Sequence, residues 1–424
     1  MKPQHFFAQG IELVLVLLLV TACVAPKAQP CPTTAPLSCP TTAALQTELT
    51  PTSLPNITSA GVSQESSELG VEKTLEPNIG IATATDFPEV IMPESTPQVT
   101  QLYKPRLYGA IGGSEKVVFS PNGDILAAGY YSGPVILYDT STWRPLAVFT
   151  TQIGFINSIA FSPDGKLIAA GGGIYAPVER GVQIWDVATH QLLLKLDDFD
   201  ESVRSLAFSP DGAILATADG HPLSGRGSAK IWDTKTGALL AELTVQGKID
   251  QLYIQAFFDI AFNPDGTLLA AINADGKVQL WDVTSYKEVG LMTGVGGEGS
   301  GIAFSPDGKL LAASGSAAGN TNTIPELRLW VMATGELLFK LDGHNAAAGK
   351  VKFSPDGRIL ASTSYASDGT VMLWDVDTGE VMAIIDVPGA SDVAFSPNGT
   401  LLATAGWGDT GRLWDVPPHL ETNR

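Results

Sequence analysis

The sequence predicts an all-β fold: a seven-bladed β-propeller of four-stranded antiparallel blades, with an N-terminal strand completing the last blade. Three observations carry this. A Phe-Ser-Pro-Asp/Asn-Gly element recurs with its Phe at 119, 161, 208, 262, 304, 353 and 395, Asn263 standing for Ser in the fourth copy. Each copy is followed by an apolar-polar-apolar-aromatic-Asp element: "VILYD", "VQIWD", "AKIWD", "VQLWD", "LRLWV", "VMLWD" and "GRLWD". The copies are spaced by roughly 40 to 54 residues, the period of a propeller blade, and 44 Gly with 28 Pro in 424 residues favour turns over helices.

In chain order, residues 1–22 read as a secretory signal: a Lys near the start, an apolar stretch from Leu13 to Ala22, then small residues before Cys23. That stretch has roughly half the ~20 apolar residues that a membrane crossing needs. "VTAC" (Val20 to Cys23) resembles the lipobox of bacterial lipoproteins. The resemblance implies cleavage before Cys23, lipid on that Cys, and a mature chain held to the cell envelope outside the cytoplasmic membrane. Residues 23–99 form a tether. From Val24 to Thr100, 31 of 77 residues are Pro, Thr or Ser, too little apolar surface to offset the entropy of ordering. Cys31 and Cys39 sit in a duplicated "CPTTA" piece, which fits either a disulfide or a copied spacer.

Residues 100–424 carry the blades. In "SPDG", Pro presets the first corner, Asp or Asn tolerates the second, and Gly takes the left-handed position that closes the hairpin between strands a and b. Strand b follows as "LIAAGG" or "LLAASG". Strand c holds the Trp, expected to bury a large surface against the next blade. A second turn ("DVATHQ", "DTKTGA") leads to strand d ("QLLLKL", "ELLFKL"). Six d strands follow six Trp-Asp elements and the seventh is missing at the C-terminus. The unassigned "TQLYKPRLYGAI" before the first copy is expected to supply it, as Leu102 to Leu107 or as Leu107 to Ile111, and so remove an exposed blade edge.

These residues resemble the WD-repeat family of propellers from about Thr100 to Val416. The chain departs from the family pattern at Tyr138 (for Trp), at Val331 (for Asp) and in having a single Gly-His pair, Gly343-His344. The resemblance implies a His-Ser/Thr-Trp-Asp hydrogen-bond network in the sixth repeat only, through His344, Ser364, Asp368 and Trp374. It also implies a scaffold that binds a protein or peptide and catalyses nothing.

The a-b and c-d turns are short and uniform while the b-c and d-a connections vary, so one face is plain and the other elaborated. The elaborated face is expected to bind, through Tyr130, Tyr131, Tyr175, Arg180, His221, Arg226, Tyr253, Asn320, Tyr365 and Trp407, with Phe257 nearby. Net charge is −19 with no long Lys/Arg run, which argues against nucleic acid. "GVGGEG" (Gly294 to Gly299) matches a dinucleotide fingerprint but no helix follows it, and no nucleophile elbow, HExxH or Walker loop occurs. The expectation is therefore a monomeric, non-enzymatic propeller without metal or cofactor. Alternatives are carbohydrate or small-molecule binding or hydrolysis at the channel mouth, and a part in envelope assembly.

Overall fold

The computed structural model describes residues 101–103, 114–130, 133–173, 180–221, 226–243, 256–293, 295, 298–317, 324–364, 368–406 and 411–416. All lie in one compact unit, Pro77–Arg424. The signal segment, Cys23 and the Pro/Thr/Ser-rich stretch lie outside the described residues.

Every regular element among the described residues is a strand, and the strands form seven four-stranded antiparallel sheets. Blades 1 to 6 each run a-b-c-d in chain order; blade 1 is Ser114–Phe119, Ile125–Tyr130, Val135–Asp139 and Pro145–Phe149. Blade 7 takes strands a to c from Ala390–Phe395, Leu401–Gly406 and Arg412–Asp415, and its strand d from Gln101–Tyr103. Gln101 lies opposite Trp414 and Tyr103 opposite Leu413. The missing strand thus comes from the N-terminal side, at the start of the first expected register; the alternative, Leu107 to Ile111, falls outside the described residues. Each a strand also touches the a strands of both neighbouring blades, blade 7 meeting blade 1, so the ring is closed with strand a innermost.

The core is divided among the blade interfaces. Seven apolar clusters each draw on two adjacent blades, one per interface, as expected of sheets that are apolar on both faces and must stack. Trp185 of blade 2 packs with Leu137, Phe149 and Ile153 of blade 1. Trp374 of blade 6 packs with Leu327 and Leu341 of blade 5. The strand-c aromatic therefore packs on the preceding blade and not on the next. Strand b is small because it must be: a Cβ on Gly171 would stand 2.8 Å from both Leu206 and Val203 of the next blade.

The turns are locked by their own side chains. Ser162 Oγ donates to Asp164 Oδ1 (2.7 Å) and accepts from Leu167 N (2.9 Å), while Gly165 takes φ +70°. Asn263 does the same work in blade 4, accepting from Leu268 N at 2.8 Å. In the c-d turns of blades 1 to 4 and 6 the Asp after the strand-c aromatic accepts from the Thr or Ser three residues on, as Asp233 does from Thr236 N and Oγ1 (both 2.7 Å). Each a-b turn Gly faces the Pro of the preceding blade's turn: a Cβ on Gly123 would stand 3.5 Å from Pro397 and one on Gly399 3.7 Å from Pro355, so the turns form a continuous rim on the plain face.

Candidate functional site

Antiparallel order places a-b and c-d turns at one end of every blade and b-c and d-a connections at the other. Of the residues expected on the elaborated face, Tyr131, Tyr175, Tyr253, Asn320, Tyr365 and Trp407 lie outside the described residues. Arg180 enters strand c of blade 2, half-buried. His221 and the exposed Arg226 flank the blade 3 b-c loop, where His221 N donates to the Arg226 carbonyl at 3.0 Å.

Two others belong to the core. Tyr130 is 4% exposed, its hydroxyl 3.1 Å from that of Tyr138. Because Tyr138 replaces Trp, its polar tip sits where a buried hydroxyl must find a partner, and Tyr130 provides one. Phe257 is 1% exposed and edge-on to Trp281, 5.8 Å between ring centres.

The sequence pattern missed the innermost strand. In every a strand the pairing with strand b slips near the residue four before the Phe, the mark of a β-bulge. A bulge re-aims a side chain, and on the inside of a closed ring exposed surface opens only to the channel and its mouths. The bulged residues Glu115, Asn157, Arg204, Phe258 and Ser300 are all partly exposed; Gly349 and Ser391 are buried. Three of them join a blade to the next. Asn157 Nδ2 donates to Ser202 Oγ (3.0 Å) and the Val203 carbonyl (2.9 Å), Arg204 lies 5.7 Å over the Phe258 ring, and Ser391 Oγ donates to the Glu115 carbonyl at 2.8 Å. The sequence marks five of the seven: Glu115, Asn157, Arg204, Ser300 and Ser391 are polar four places before a marked Phe, while Phe258 and Gly349 carry no such mark.

One residue further in, the ring carries Lys116, Ser158, Ser205, Asp259, Gly301, Lys350 and Asp392. An innermost strand leaves backbone N–H groups unpaired on its channel edge, and this belt supplies acceptors for several of them. Ser158 Oγ accepts from Leu206 N (3.2 Å), Asp259 Oδ2 from Ile302 N (3.0 Å) and Asp392 Oδ2 from Val117 N (3.2 Å), each one blade on. Asp259 Oδ1 takes Ser205 Oγ at 2.6 Å and Lys350 Nζ at 2.8 Å. Burial pushes the Asp259 carboxyl up, but Lys350, Lys352 and the Ser205 hydroxyl outweigh it and hold it below the usual range. Desolvation pulls the Lys116 ammonium down, countered by Asp392 and reinforced by Lys350.

The blade 6 network exists with one correction: the serine is Ser362. His344 Nδ1 is 3.0 Å from Asp368 Oδ2, His344 Nε2 is 2.7 Å from Ser362 Oγ, and Trp374 Nε1 donates to that oxygen at 2.8 Å. Ser364 Oγ donates instead to the Ala347 carbonyl at 3.1 Å. This order of groups is that of a nucleophilic triad. Here Ser362 is fully buried and the indole N–H already occupies its oxygen, so the group staples strands and offers no nucleophile. Desolvation lowers the His344 pKa, which keeps the imidazole neutral between its two partners. Trp232 and Trp414 make shorter versions of the staple, donating to Thr217 Oγ1 (2.9 Å) and Thr404 Oγ1 (3.0 Å).

The family model described as "WD domain, G-beta repeat" matches residues 255–282, 335–375 and 386–415, within blades 4 to 7. The model described as "Eukaryotic translation initiation factor eIF2A" matches residues 114–254, which span blades 1 to 3. The chain is similar to "COMPASS component SWD1" of Saccharomyces cerevisiae, 34% identical over 94 residues, 21% of this chain and 21% of that protein. It is similar also to "WD repeat-containing protein VIP3" of Arabidopsis thaliana, 32% identical over 100 residues, 20% of this chain and 30% of the relative. The matched stretches thus span less than a third of either relative's length. The chain carries WD40 repeats on a seven-bladed propeller.

Proposed function

We propose that this WD-repeat propeller is a non-enzymatic scaffold that holds a protein or peptide segment over the channel mouth on its elaborated face. We propose further that lipid on Cys23 tethers it to a cell envelope. WD-repeat propellers generally serve as protein-binding scaffolds, and the yeast relative is by its name a component of an assembly. The observation that carries the reading is the row of bulges: they raise partly exposed polar and aromatic groups, Arg204 and Phe258 among them, toward the end of the ring that also bears the irregular connections. The plain face is closed by self-satisfied turns. The lipid anchor rests on the sequence alone, on the lipobox resemblance.

The test is photo-crosslinking of the full-length chain in its host, with a benzophenone amino acid at Phe258 or Arg226 on the elaborated face and at Arg358 on the plain face. A discrete protein adduct from the first two sites and none from the third is expected. Equal labelling from both faces, or from neither, would reject the scaffold reading. Incorporation of labelled palmitate by the wild-type chain, lost in Cys23→Ser, is expected of the anchor; incorporation that survives the substitution would remove it.

A further inference from the structure

Among the described residues every exposed large apolar side chain lies on a strand d, the outer edge of its blade. Sheets set around a ring diverge outward, so some exposure there is geometric. What differs between blades is how the edge is guarded. An open edge offers unpaired N–H and C=O groups to any extended chain, and proteins blunt it with Lys or other charge, with Pro, or by keeping it short. Strand d carries Pro145 in blade 1, Lys195 in blade 2, Glu242 in blade 3, Glu288 in blade 4 and Lys340 in blade 5, and in blade 7 it has 3 residues. Blade 6 has the longest, Val381–Asp386 with 6 residues, and Val381 to Ile385 hold neither charge nor Pro. Ile384 is 59% exposed, more than any other large apolar side chain described. The equivalent position, ten residues after the strand-c aromatic, is Lys195, Glu242 and Lys340 in blades 2, 3 and 5.

We propose that this edge of blade 6 takes a fifth strand from a partner: an extended segment with apolar, β-branched side chains at its centre and Lys or Arg at its ends. Charge selects that occupant. From Asp375 to Asp386 the chain has four carboxylates, Asp375, Asp377, Glu380 and Asp386, and no Lys, Arg or His, whereas the c-d turn and strand d of each of blades 1 to 5 include at least one. Asp377, Glu380 and Asp386 are exposed, and none of them makes an ion pair among the described residues. Arg412, which donates to the Asp386 carbonyl at 3.0 Å, offsets one of the four, and Arg358 acts on Asp356 in its own turn. The same charge disfavours the two occupants nearest at hand. Residues 24–100, which lead to strand d of the adjacent blade 7, carry eight carboxylates against Lys27 and Lys73. A second copy pairing edge to edge would set carboxylates against carboxylates, which destabilises a ladder. The site is on the outer rim, apart from the elaborated face, and stands independently of the segment placed there.

The test uses purified full-length protein and a fluorescein-labelled peptide, KKTVTITVKK, read by fluorescence anisotropy. One control is EETVTITVEE. The other is the basic peptide N-methylated from its first Thr to its last Val, which keeps side chains and charge and removes the backbone donors. The basic peptide is expected to bind, and both controls to bind about tenfold more weakly or less. Ile384→Lys gives blade 6 the guard that blade 2 has in Lys195. As an exposed substitution it is expected to leave thermal unfolding unchanged while weakening the basic peptide about tenfold or more. Val148→Lys adds the same charge at the equivalent place in blade 1 and is expected to leave binding unchanged. No binding of the basic peptide, equal binding of either control, unchanged affinity in Ile384→Lys, or equal losses in the two Lys variants overturns the inference. A wild-type dimer on size exclusion that becomes a monomer in Ile384→Lys assigns the edge to a second copy and overturns it as well.

Discussion

Replacing Gly301 with Ala isolates the part of the channel belt on which Lys350 depends. Gly301 is not in the left-handed region, so Ala costs nothing in backbone conformation there. The cost is steric. A Cβ at Gly301 would stand 2.7 Å from the Gly349 carbonyl oxygen, 2.8 Å from Ser314 Oγ and 3.0 Å from Lys350 Cα. Two of these are backbone atoms of blade 6, and Ser314 Oγ is itself bonded to the Gly349 carbonyl, so the hydroxyl has little room to yield. Strand a of blade 6 must move outward, carrying Lys350 away from Asp259. Overpacking of this kind costs about 1–3 kcal/mol, and complete rupture of a buried ion pair about 3–5 kcal/mol. The Lys350 and Asp259 side chains are 12% and 6% exposed, so water screens the pair little and a shift of a few tenths of an ångström forfeits part of it.

The expected sum is about 2–4 kcal/mol, which for a domain of this size lowers the midpoint by roughly 3–6 °C. Thermal unfolding at fixed scan rate and urea titration both read it. Gly335→Ala is the control: its Cβ meets nothing within 4 Å, but φ is +70°, so it pays only the left-handed penalty of about 1–2 kcal/mol. Repeating Gly301→Ala in an Asp259→Asn background separates sterics from ion pairing, because the double variant loses less than the sum of the singles if the pair is what breaks. A wild-type midpoint for Gly301→Ala, or strict additivity with Asp259→Asn, would refute the coupling.

Other outcomes follow from the closure, the turns and the buried His. Deleting residues 101–111 leaves strand c of blade 7 as an open edge, so the midpoint should fall and the protein should self-associate on size exclusion; unchanged values would show that the closing strand is dispensable. Val331→Asp should restore the missing c-d turn acceptor opposite Thr334 and stabilise the chain by about 1 kcal/mol, and Thr334→Ala should cancel that gain in the variant while costing less in the wild type. Stability should decline as pH falls below 6.5, because the unfolded chain then protonates His344 while the folded chain, with its lowered pKa, does not. It should decline further below the ordinary carboxylate range as Asp164 and Asp307 titrate toward about 2, since groups lowered on folding stabilise above their unfolded pKa and cease to as pH drops through the folded one. Urea midpoints across pH 8 to 2 check the sign, and His344→Gln should flatten the upper part of the curve.

What was legible in the sequence is what short-range chemistry decides. Ser162 bonds to both Asp164 and Gly165 across the fixed corner of Pro163, so the hairpin can be read without knowing its surroundings. Seven such hairpins with six following d strands fix the count, and the count demands a closing strand. What needed the third dimension was less accessible. That Trp185 packs backward onto blade 1 depends on how successive sheets lean, which no local pattern encodes. Ser362 and Ser364 share one face of strand b, so strand alternation cannot choose between them; only the reach of the Trp374 indole does. Tyr130 reads as loop in "GYYSGP", yet it ends strand b beneath Tyr138. Five of the bulges were visible as polar residues four places before the Phe, Phe258 and Gly349 giving no such sign, and a pattern of period two has no place for an extra residue.

Seven copies in one chain also act as their own comparison. Two residues before each Phe the side chain is always aliphatic: Val117, Ile159, Leu206, Ile260, Ile302, Val351 and Val393. That position fills the blade interfaces, and exchange there costs packing in every copy alike. The next position toward the elaborated face is Lys, Ser, Ser, Asp, Gly, Lys and Asp around the ring. Ring closure does not need this diversity. Ser158 satisfies the neighbouring backbone N–H as well as Asp259 does, without the desolvation that burying a carboxylate and its lysine incurs. Serine at all seven places would make a simpler belt, so the charges at Lys116, Asp259, Lys350 and Asp392 are a departure from what the fold requires. The charges compensate one another across blades, Lys350 on Asp259 and Lys116 beside Asp392, so exchange at one place in the belt is expected to be felt at its partner.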